Sequence, residues 1–591
     1  MRHSFVLVSL MIHDHLAIDT EDDSQGMVNI INIFDGRHHT TWVRDPKEKD
    51  LDRFRSQAWN WLYERAKVKW PKGHPRIKGP SRFTRRRLTI WACNTEYDLL
   101  NVFGGQWLGK MNTLQYVSSG LLRATNVFRH ITFLDTLRHW PMSVDMMGRY
   151  LGLPKLDADF LSVEYCRRDT EIVWRFVDAM VTRYDDLDLI LKATLPSMAL
   201  QLFKKRFHRK DFYPLPPALV EKYREGYYGG RVEVYRFGYV PGPIRHYDVN
   251  SLFPSVMVDG AFPVLHKYHV TKDPDWSGAE GMADVTITLP ETEYPALPMR
   301  GSEDMVYAWG TMRGMWPYPE IRQALADGAT IETVHAAYEH QRGPTPFKEY
   351  VEYCYDQRSR SQHDLDNVVW KLFMNSLYGK FGQRPELDMI YDDKFMRIES
   401  EPSPAANVIW AAYVTSLARL RLLSFLRQTT ACYYTDTDSL FTPDLLPTSK
   451  ALGALKLEGV YTGMEAKGNK MYAIDLDPAE VAKLPEKDRL LYHADRGDGS
   501  LTRYKAKGVQ RAQVKDGKLV ADAARDFIRT GRALFRKPIR FRESRRVLLT
   551  PNLWVEMEKK REAVYTKRRL FDDGHTEPWE WVRYCRAMED V

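Results

Sequence analysis

The sequence predicts a multidomain protein, α/β over its first third and α+β after that. Three observations lead there. A chain of 591 residues is too long for one hydrophobic core and should divide into several domains. With 44% hydrophobic and 12% aromatic residues, it has the material to fill those cores. Strand-like and helical stretches alternate up to about residue 190, the pattern of an α/β unit, and longer helices with isolated strands follow.

In chain order, residues 15–20 read as a strand and 27–34 as its partner, with Asp35-Gly36 as a turn signal. Residues 88–92 form another short apolar strand, and 163–183 read as a helix. Gly226-Tyr227-Tyr228-Gly229-Gly230 marks a tight, irregular connection after a helical segment. Residues 262–340 are rich in Pro and Gly and predict a small insert of strands and turns. Two antiparallel helices are expected over 346–380, and a β-hairpin over 385–397 with Asp392-Asp393 near its turn. A helix over 405–428 leads into an acidic strand motif, and the last ninety residues read as basic and mostly helical.

Net charge is +8, but the basicity is concentrated. Residues 501–550 hold fifteen Lys or Arg against four Asp or Glu, a balance suited to a polyanion such as nucleic acid or to a solvated surface. The five cysteines, Cys93, Cys166, Cys354, Cys432 and Cys585, are scattered without a CxxC pair. That argues against a zinc site or disulfide framework and for a reducing, cytoplasmic setting rather than secretion. The apolar run at residues 5–12 contains Ser9 and lacks a signal-like cleavage site, so it is expected to enter the first strand. No run of eighteen apolar residues occurs, and no membrane span is expected.

The chemistry concentrates in two sets of acids. Tyr434-Thr435-Asp436-Thr437-Asp438-Ser439-Leu440 places two carboxylates two residues apart, on one face if the stretch is a strand. Asp248 ends the strand-like Ile244-Arg245-His246-Tyr247-Asp248. Two strands delivering such acids to one place would make a two-metal phosphoryl-transfer site. After Asp248, the Val249 carbonyl offers a further ligand, and the amides of Ser251, Leu252 and Phe253 face phosphate where the chain turns into a helix. On a helix, Lys371, Asn375 and Tyr378 share a face at i, i+4 and i+7, offering an ammonium, an amide and a ring. Arg358 can add a second cation. Each stretch alone also fits a cap residue or an ordinary amphipathic helix with Leu372 and Leu377 buried.

The second set begins with Asp19-Thr20-Glu21, again two acids on one strand face. Asp98 follows in Asn94-Thr95-Glu96-Tyr97-Asp98. Asp169 comes from a helix, with Tyr165 one turn before it on the same face. Four acids and a phenol suit two metals and an oriented water, although single acidic patches are common.

In order, Asp-x-x-Ser-Leu-Phe-Pro-Ser from Asp248, Lys-x-x-x-Asn-Ser-x-Tyr-Gly from Lys371 and Tyr-x-Asp-Thr-Asp-Ser from Tyr434 resemble the three polymerase motifs of family B DNA polymerases. Lys470-Met471-Tyr472 looks like that family's Lys-x-Tyr element, which holds the primer terminus, and Lys507-Gly508 like an element near the start of the thumb. The N-terminal acids with Tyr165 resemble the DEDDy class of 3′→5′ exonucleases, and Thr136-Leu137 looks like its single-strand-binding element.

The resemblance implies an RNase H-like 3′→5′ exonuclease followed by a right-hand palm, fingers and thumb. It implies catalytic acids Asp248, Asp438 and auxiliary Asp436 for synthesis, and Asp19, Glu21, Asp98, Asp169 and Tyr165 for proofreading. Mg²⁺, two ions per site, is the implied cofactor, with Mn²⁺ as the alternative. Nucleotide contacts would fall to Val249, Ser251, Leu252, Phe253, Arg358, Lys371, Asn375 and Tyr378. DNA contacts would fall to Asn94, Thr136, Leu137, Tyr227, Gly229, Gly230, Lys470, Tyr472 and Lys507. Phe253 takes the ribose-excluding position, where Tyr is usual in the family.

The implied division is exonuclease 1–190, palm 191–258, a first insert 259–340, fingers 341–383, a hairpin insert 384–404, palm again 405–500, and a basic thumb and C-terminal region 501–591. Tyr227-Tyr228-Gly229-Gly230 fits the family's Tyr-x-Gly-Gly link between exonuclease and palm. The two inserts fall where protein-primed polymerases of bacteriophages and linear plasmids carry theirs. The implied partners are therefore primer–template DNA, dNTPs and a terminal protein, bound by a monomer. A nucleic-acid-primed family B enzyme, or a stand-alone exonuclease with a DNA-binding C-terminal half, are the alternatives. Arg85-Arg86-Arg87 reads first as a solvated strand edge, and only then as a DNA-facing cluster or a nuclear signal. Lys559-Lys560-Arg561 and Lys567-Arg568-Arg569 read as phosphate contacts or solvated faces, and Trp554 and Tyr565 as core residues or base platforms.

Overall fold

The computed structural model describes residues 15–23, 27–69, 83–85, 88–104, 111, 113–117, 120–126, 130–157, 162–208, 215–302, 304–361, 364–383, 386–391, 394–399, 407–509, 512–515, 518–538, 554–560 and 565–589. The apolar run at 5–12, Arg86, Arg87, Asp392, Asp393 and Arg561 lie outside them.

The N-terminal unit is built on a sheet whose three central strands, His15–Asp22, Leu88–Ala92 and Ile131–Asp135, run parallel. Parallel strands covered on both sides must bury alternate residues in opposite directions. Leu16 and Ile18 enter a core with Leu51–Arg65 and Thr95–Phe103, while Ala17, Trp91 and Leu134 face the long helix Val163–Asp186. Eleven residues of that helix are buried, and full burial of a large apolar side chain stabilises by roughly 1.5–3 kcal/mol. At the sheet's far edge, the hairpin Glu386–Tyr391 and Lys394–Glu399 pairs with Thr113–Val117, although about 270 residues separate them.

The central sheet has eight strands. Gly238–Val249 lies between Ser439–Thr442 and Leu455–Gly468, and Val232–Val234 with Tyr434–Asp436 forms one edge. Past Met471–Leu476 the sheet continues through Leu501–Ala506, beyond the boundary at 500. Leu252–Val258 and Val408–Leu426 share a core with Tyr247, Val249, Leu440 and Leu455. By length and composition Val408–Leu426 could cross a membrane, yet most of it is buried inside the fold. Lys348–Arg360 and Asp364–Phe381 pack on each other beside this sheet.

The first insert departs from the expected small array of strands and turns. Ala261–Thr271, Thr330–Pro344, Ala279–Leu289 and Gly310–Pro317 form a four-stranded antiparallel sheet, and Tyr318–Ala326 is a helix. Pro290, Pro295 and Gly301 lie between its strands, but Pro263, Gly281 and Gly314 lie within them, and Ala279–Leu289 alternates in burial only over its second half. Two buried links fix it to Val408–Leu426. Arg419 donates to both Glu320 oxygens at 2.8 and 2.9 Å, and Tyr413 donates to the Glu280 carboxylate at 3.0 Å.

The C-terminal ninety residues are a correction. Among the described residues there, helix is confined to Ala523–Thr530 and Trp581–Glu589, and the rest is mainly strand. Lys and Arg are good helix formers, but Leu501-Thr502-Arg503-Tyr504-Lys505-Ala506 alternates with period two, and pairing with Met471–Leu476 decides the outcome. Trp581–Glu589 returns to the first insert, where Tyr584 joins its core.

Candidate active sites

The acidic pair is carried by a turn, which corrects the expectation of a strand face. Asp436 ends Tyr434–Asp436, Thr437 has φ +65°, and the Asp438 amide donates to the Asp436 carbonyl at 2.7 Å. The turn separates the two acids. Asp436 faces Lys470, whose Nζ binds its Oδ1, while Asp438 lines a cavity of about 770 Å³. Pairing of Asp248 with Ser439, and the Val249 amide donating to the Asp438 carbonyl at 2.8 Å, bring Asp248 to the same cavity.

Gly230 explains how that turn is held. A Cβ at Gly230 would lie 2.6 Å from the Thr437 side chain, so only glycine lets the 227–230 segment press against it. The Thr437 amide also donates to the Arg231 carbonyl at 2.8 Å. Arg419 holds the Tyr228 and Gly229 carbonyls at 2.8 and 2.7 Å.

Val249, Ser251, Leu252, Phe253, Arg358, Lys371, Asn375 and Tyr378 line the same cavity. Asp364–Phe381 buries Phe373, Met374, Leu377 and Phe381 and presents Lys371, Asn375 and Tyr378 on the opposite face. The rings of Phe253 and Tyr378 stack, with centroids 4.5 Å apart and planes at 17°. Nothing lies within 4 Å of a Cβ built on Gly379, so space opens beside that helix. Burial and the nearby Asp438 push the Asp248 carboxyl up to about 6, against the pull of Lys456 and Lys371. Burial and Asp436 likewise raise Asp438. Acids raising one another beside cations form a site suited to a further positive charge.

The second site is more closed. Carboxylate oxygens of Asp19, Glu21 and Asp169 lie within 4.8 Å of one another, a cluster that could coordinate a divalent cation. Asp19 Oδ2 and Asp169 Oδ1 are buried without a hydrogen-bond partner, as metal-directed lone pairs would be. Burial and Asp169 raise Asp19 to about 7, and burial with Asp19 and Asp169 raises Glu21 to about 9. Asp98 stands apart from this trio. It is buried, accepts from the Thr20 hydroxyl at 2.8 Å, and is raised by burial and by Asp19. Tyr165, one turn before Asp169, is buried beneath Lys155, whose Nζ lies 4.6 Å from the ring centroid and binds Asp169.

The expected DNA-contacting residues have mixed surroundings. Asn94 has φ +73°, and its amide donates to Asp135 Oδ1 at 3.1 Å; the Leu137 amide donates to the same oxygen at 2.9 Å. Thr136 is fully buried, its hydroxyl donating to the Ala92 carbonyl, so in this arrangement its side chain braces the turn. Tyr472 is also buried, packed on Tyr434 and Phe441. Tyr227 is half-buried, with Gly382 against its ring, and Gly229 is exposed. The exposed Lys507 accepts at its carbonyl from Lys559 Nζ at 2.9 Å. Lys567 and Arg568 are buried, and Tyr565 donates no base platform: its hydroxyl accepts from the Val234 amide at 2.9 Å.

Sequence reasoning missed Lys155, Asn250, Asn367, Lys450, Lys456 and Glu458. The first binds Asp169 and the others line the larger cavity. Lys155 and Lys450 sit in loops, where no periodicity marks them.

Comparison with known proteins agrees with this architecture. Residues 155–401 match the family described as DNA polymerase type B, organellar and viral. A probable DNA polymerase of Neurospora intermedia is 26% identical over 52% of this chain and 37% of its own length. The DNA-directed DNA polymerase of Enterobacteria phage PRD1 is 25% identical over 53% of this chain and 59% of its own. The chain thus spans less than two thirds of the length of either relative. Phi29 DNA polymerase complexed with primer–template DNA superposes with a TM-score of 0.67, covering 93% of this chain and all of that one at 15% identity, which shows a shared fold.

Proposed function

We propose that this chain, which resembles the type B DNA polymerases of organelles and viruses over residues 155–401, is a DNA-directed DNA polymerase with a 3′→5′ proofreading exonuclease. One observation carries the reading. A single cavity gathers Asp248, Asp438, Arg358, Lys371, Asn375, Tyr378 and Phe253 from three distant segments. A nuclease needs no such combination of acids, cations and stacked rings.

Two Mg²⁺ ions at each site would supply charge neutralisation at the reacting phosphate. Asp248, Asp438 and the Val249 carbonyl would hold them at one site, and Asp19, Glu21 and Asp169 at the other, with Asp98 set back behind Thr20. At the larger site, Lys371 and Arg358 offset the triphosphate charge, and the stacked Phe253 and Tyr378 floor the sugar and nascent pair. The primer 3′-oxygen then attacks the α-phosphate in line with the leaving pyrophosphate. Asp436, held by Lys470, fixes the turn that aims Asp438. At the exonuclease site, Lys155 holds Asp169 and the Tyr165 ring in place, so the phenol is set to orient water.

The anchored first insert supports a docking role for a priming terminal protein. The hairpin beside the exonuclease sheet supports strand displacement during replication of a viral or mobile-element genome in the host cytoplasm.

Purified protein, a 5′-labelled primer on a longer template and Mg²⁺ test the proposal. Extension to the template's end with dNTPs, and shortening without them, is expected. Shortening under both conditions would leave only the nuclease.

A further inference from the structure

Lys450 lines the larger cavity together with Asp248, Arg358 and Lys371, and the chemistry above gives it no task. It lies in the loop between Ser439–Thr442 and Leu455–Gly468. That loop is clamped to the segment following Asp248. Asn250 Nδ2 donates to the carbonyls of Ser449 at 2.8 Å and Ala451 at 3.4 Å, and its amide donates to Ala454 at 2.9 Å. The Gly453 amide donates back to the Asn250 carbonyl at 2.8 Å. From the other side, Tyr355 donates to the Lys450 carbonyl at 3.5 Å. Tyr355 stands one turn before Arg358 and Ser359 on Lys348–Arg360, so Lys450 belongs to the end of the cavity where that cation and hydroxyl sit.

The ammonium itself is exposed and, among the described residues, has no carboxylate partner. Lys456, which lines the same cavity, is instead paired with Glu458 at 2.8 Å. A fixed backbone carrying an unpaired cation into a walled site focuses positive potential on a polyanionic ligand.

We propose that Lys450 binds the terminal phosphates of the incoming nucleoside triphosphate, and the pyrophosphate once it is released. The inference rests on the polymerase reading. It adds a third cation, supplied by the palm, to the two from the finger helices.

Single-nucleotide insertion and pyrophosphorolysis test it, with Lys450→Ala, Lys450→Gln and Lys450→Arg on one primer–template. Ala and Gln should raise the dNTP KM and the pyrophosphate concentration for half-maximal reversal by roughly tenfold, the scale of one lost charge contact. The Arg variant should recover most of that loss, and kcat should change far less than KM. Shortening of primer without dNTPs by the same preparations reports that each variant is folded. Unchanged dNTP and pyrophosphate constants in variants that still shorten primer would overturn the inference. So would a loss confined to primer–template affinity, which would make Lys450 a DNA-backbone contact. If the unaltered protein extends no primer, the polymerase reading falls and takes this inference with it.

Discussion

Asp19 is held at about 7, against an ordinary 3.8, by burial and Asp169, and Glu21 at about 9, against 4.5, by burial, Asp19 and Asp169. The folded state therefore keeps protons that the unfolded chain releases, so stability without a divalent cation falls as pH rises from about 4 through these values. A cation that replaces those protons should restore it. Thermal melts should show Mg²⁺ raising the transition relative to EDTA more at pH 8 than at pH 5, by roughly 2–4 °C per kcal/mol of binding for a unit of this size. Asp19→Asn with Glu21→Gln should abolish the difference between the two pH values. An equal Mg²⁺ effect at both would mean that the trio is not what binds the ion.

At the scale of elements, a buried charge network braces the edge strand that pairs with the catalytic turn. Glu233 bonds Arg231 Nε at 2.5 Å and lies 3.5 Å from Arg568, and all three are essentially inaccessible. Burial alone would raise the Glu233 carboxyl, but Arg231 and Arg568 more than reverse it and leave it below the usual range. Val232 pairs with Asp436 across the same strand, and Lys567 binds the Val232 carbonyl at 3.2 Å. Glu233→Gln leaves the buried Arg231 guanidinium without a carboxylate partner and Arg568 with Glu293 alone, at a cost of about 3–5 kcal/mol. Its melting transition should drop, and primer extension should suffer more than primer shortening, because Asp19 and Glu21 lie on another sheet and Asp98 and Asp169 on helices packed against it. Equal losses would assign the network to general stability.

Elements also show what was legible beforehand. Asp19 and Glu21 followed from the period of two in a parallel strand, and Lys371, Asn375 and Tyr378 from helical spacing. The same period misplaced Asp436 and Asp438, because Thr437 turns the chain between them. Lys155 and Lys450 were invisible because loops position residues through contacts from afar, here Asp169 and Asn250. Basic composition suggested helix near the C-terminus, where strand pairing overrode propensity.

For the molecule as a whole, the two sites share a frame. The helix that carries Tyr165 and Asp169 also carries Arg183, which donates to Asp366 at 2.5 Å on the helix bearing Lys371. Tyr184 meets Phe373 edge to face one residue further on. The hairpin Glu386–Tyr391 and Lys394–Glu399 extends the N-terminal sheet. Although joined by this frame, each set of acids should act alone. The most direct measurement follows one 5′-labelled primer–template with the unaltered protein, Asp438→Asn and Asp19→Asn, each with and without dNTPs. Asp438→Asn should shorten the primer but not extend it, and Asp19→Asn should extend it but not shorten it. Loss of both activities in either folded variant would contradict two independent carboxylate sites.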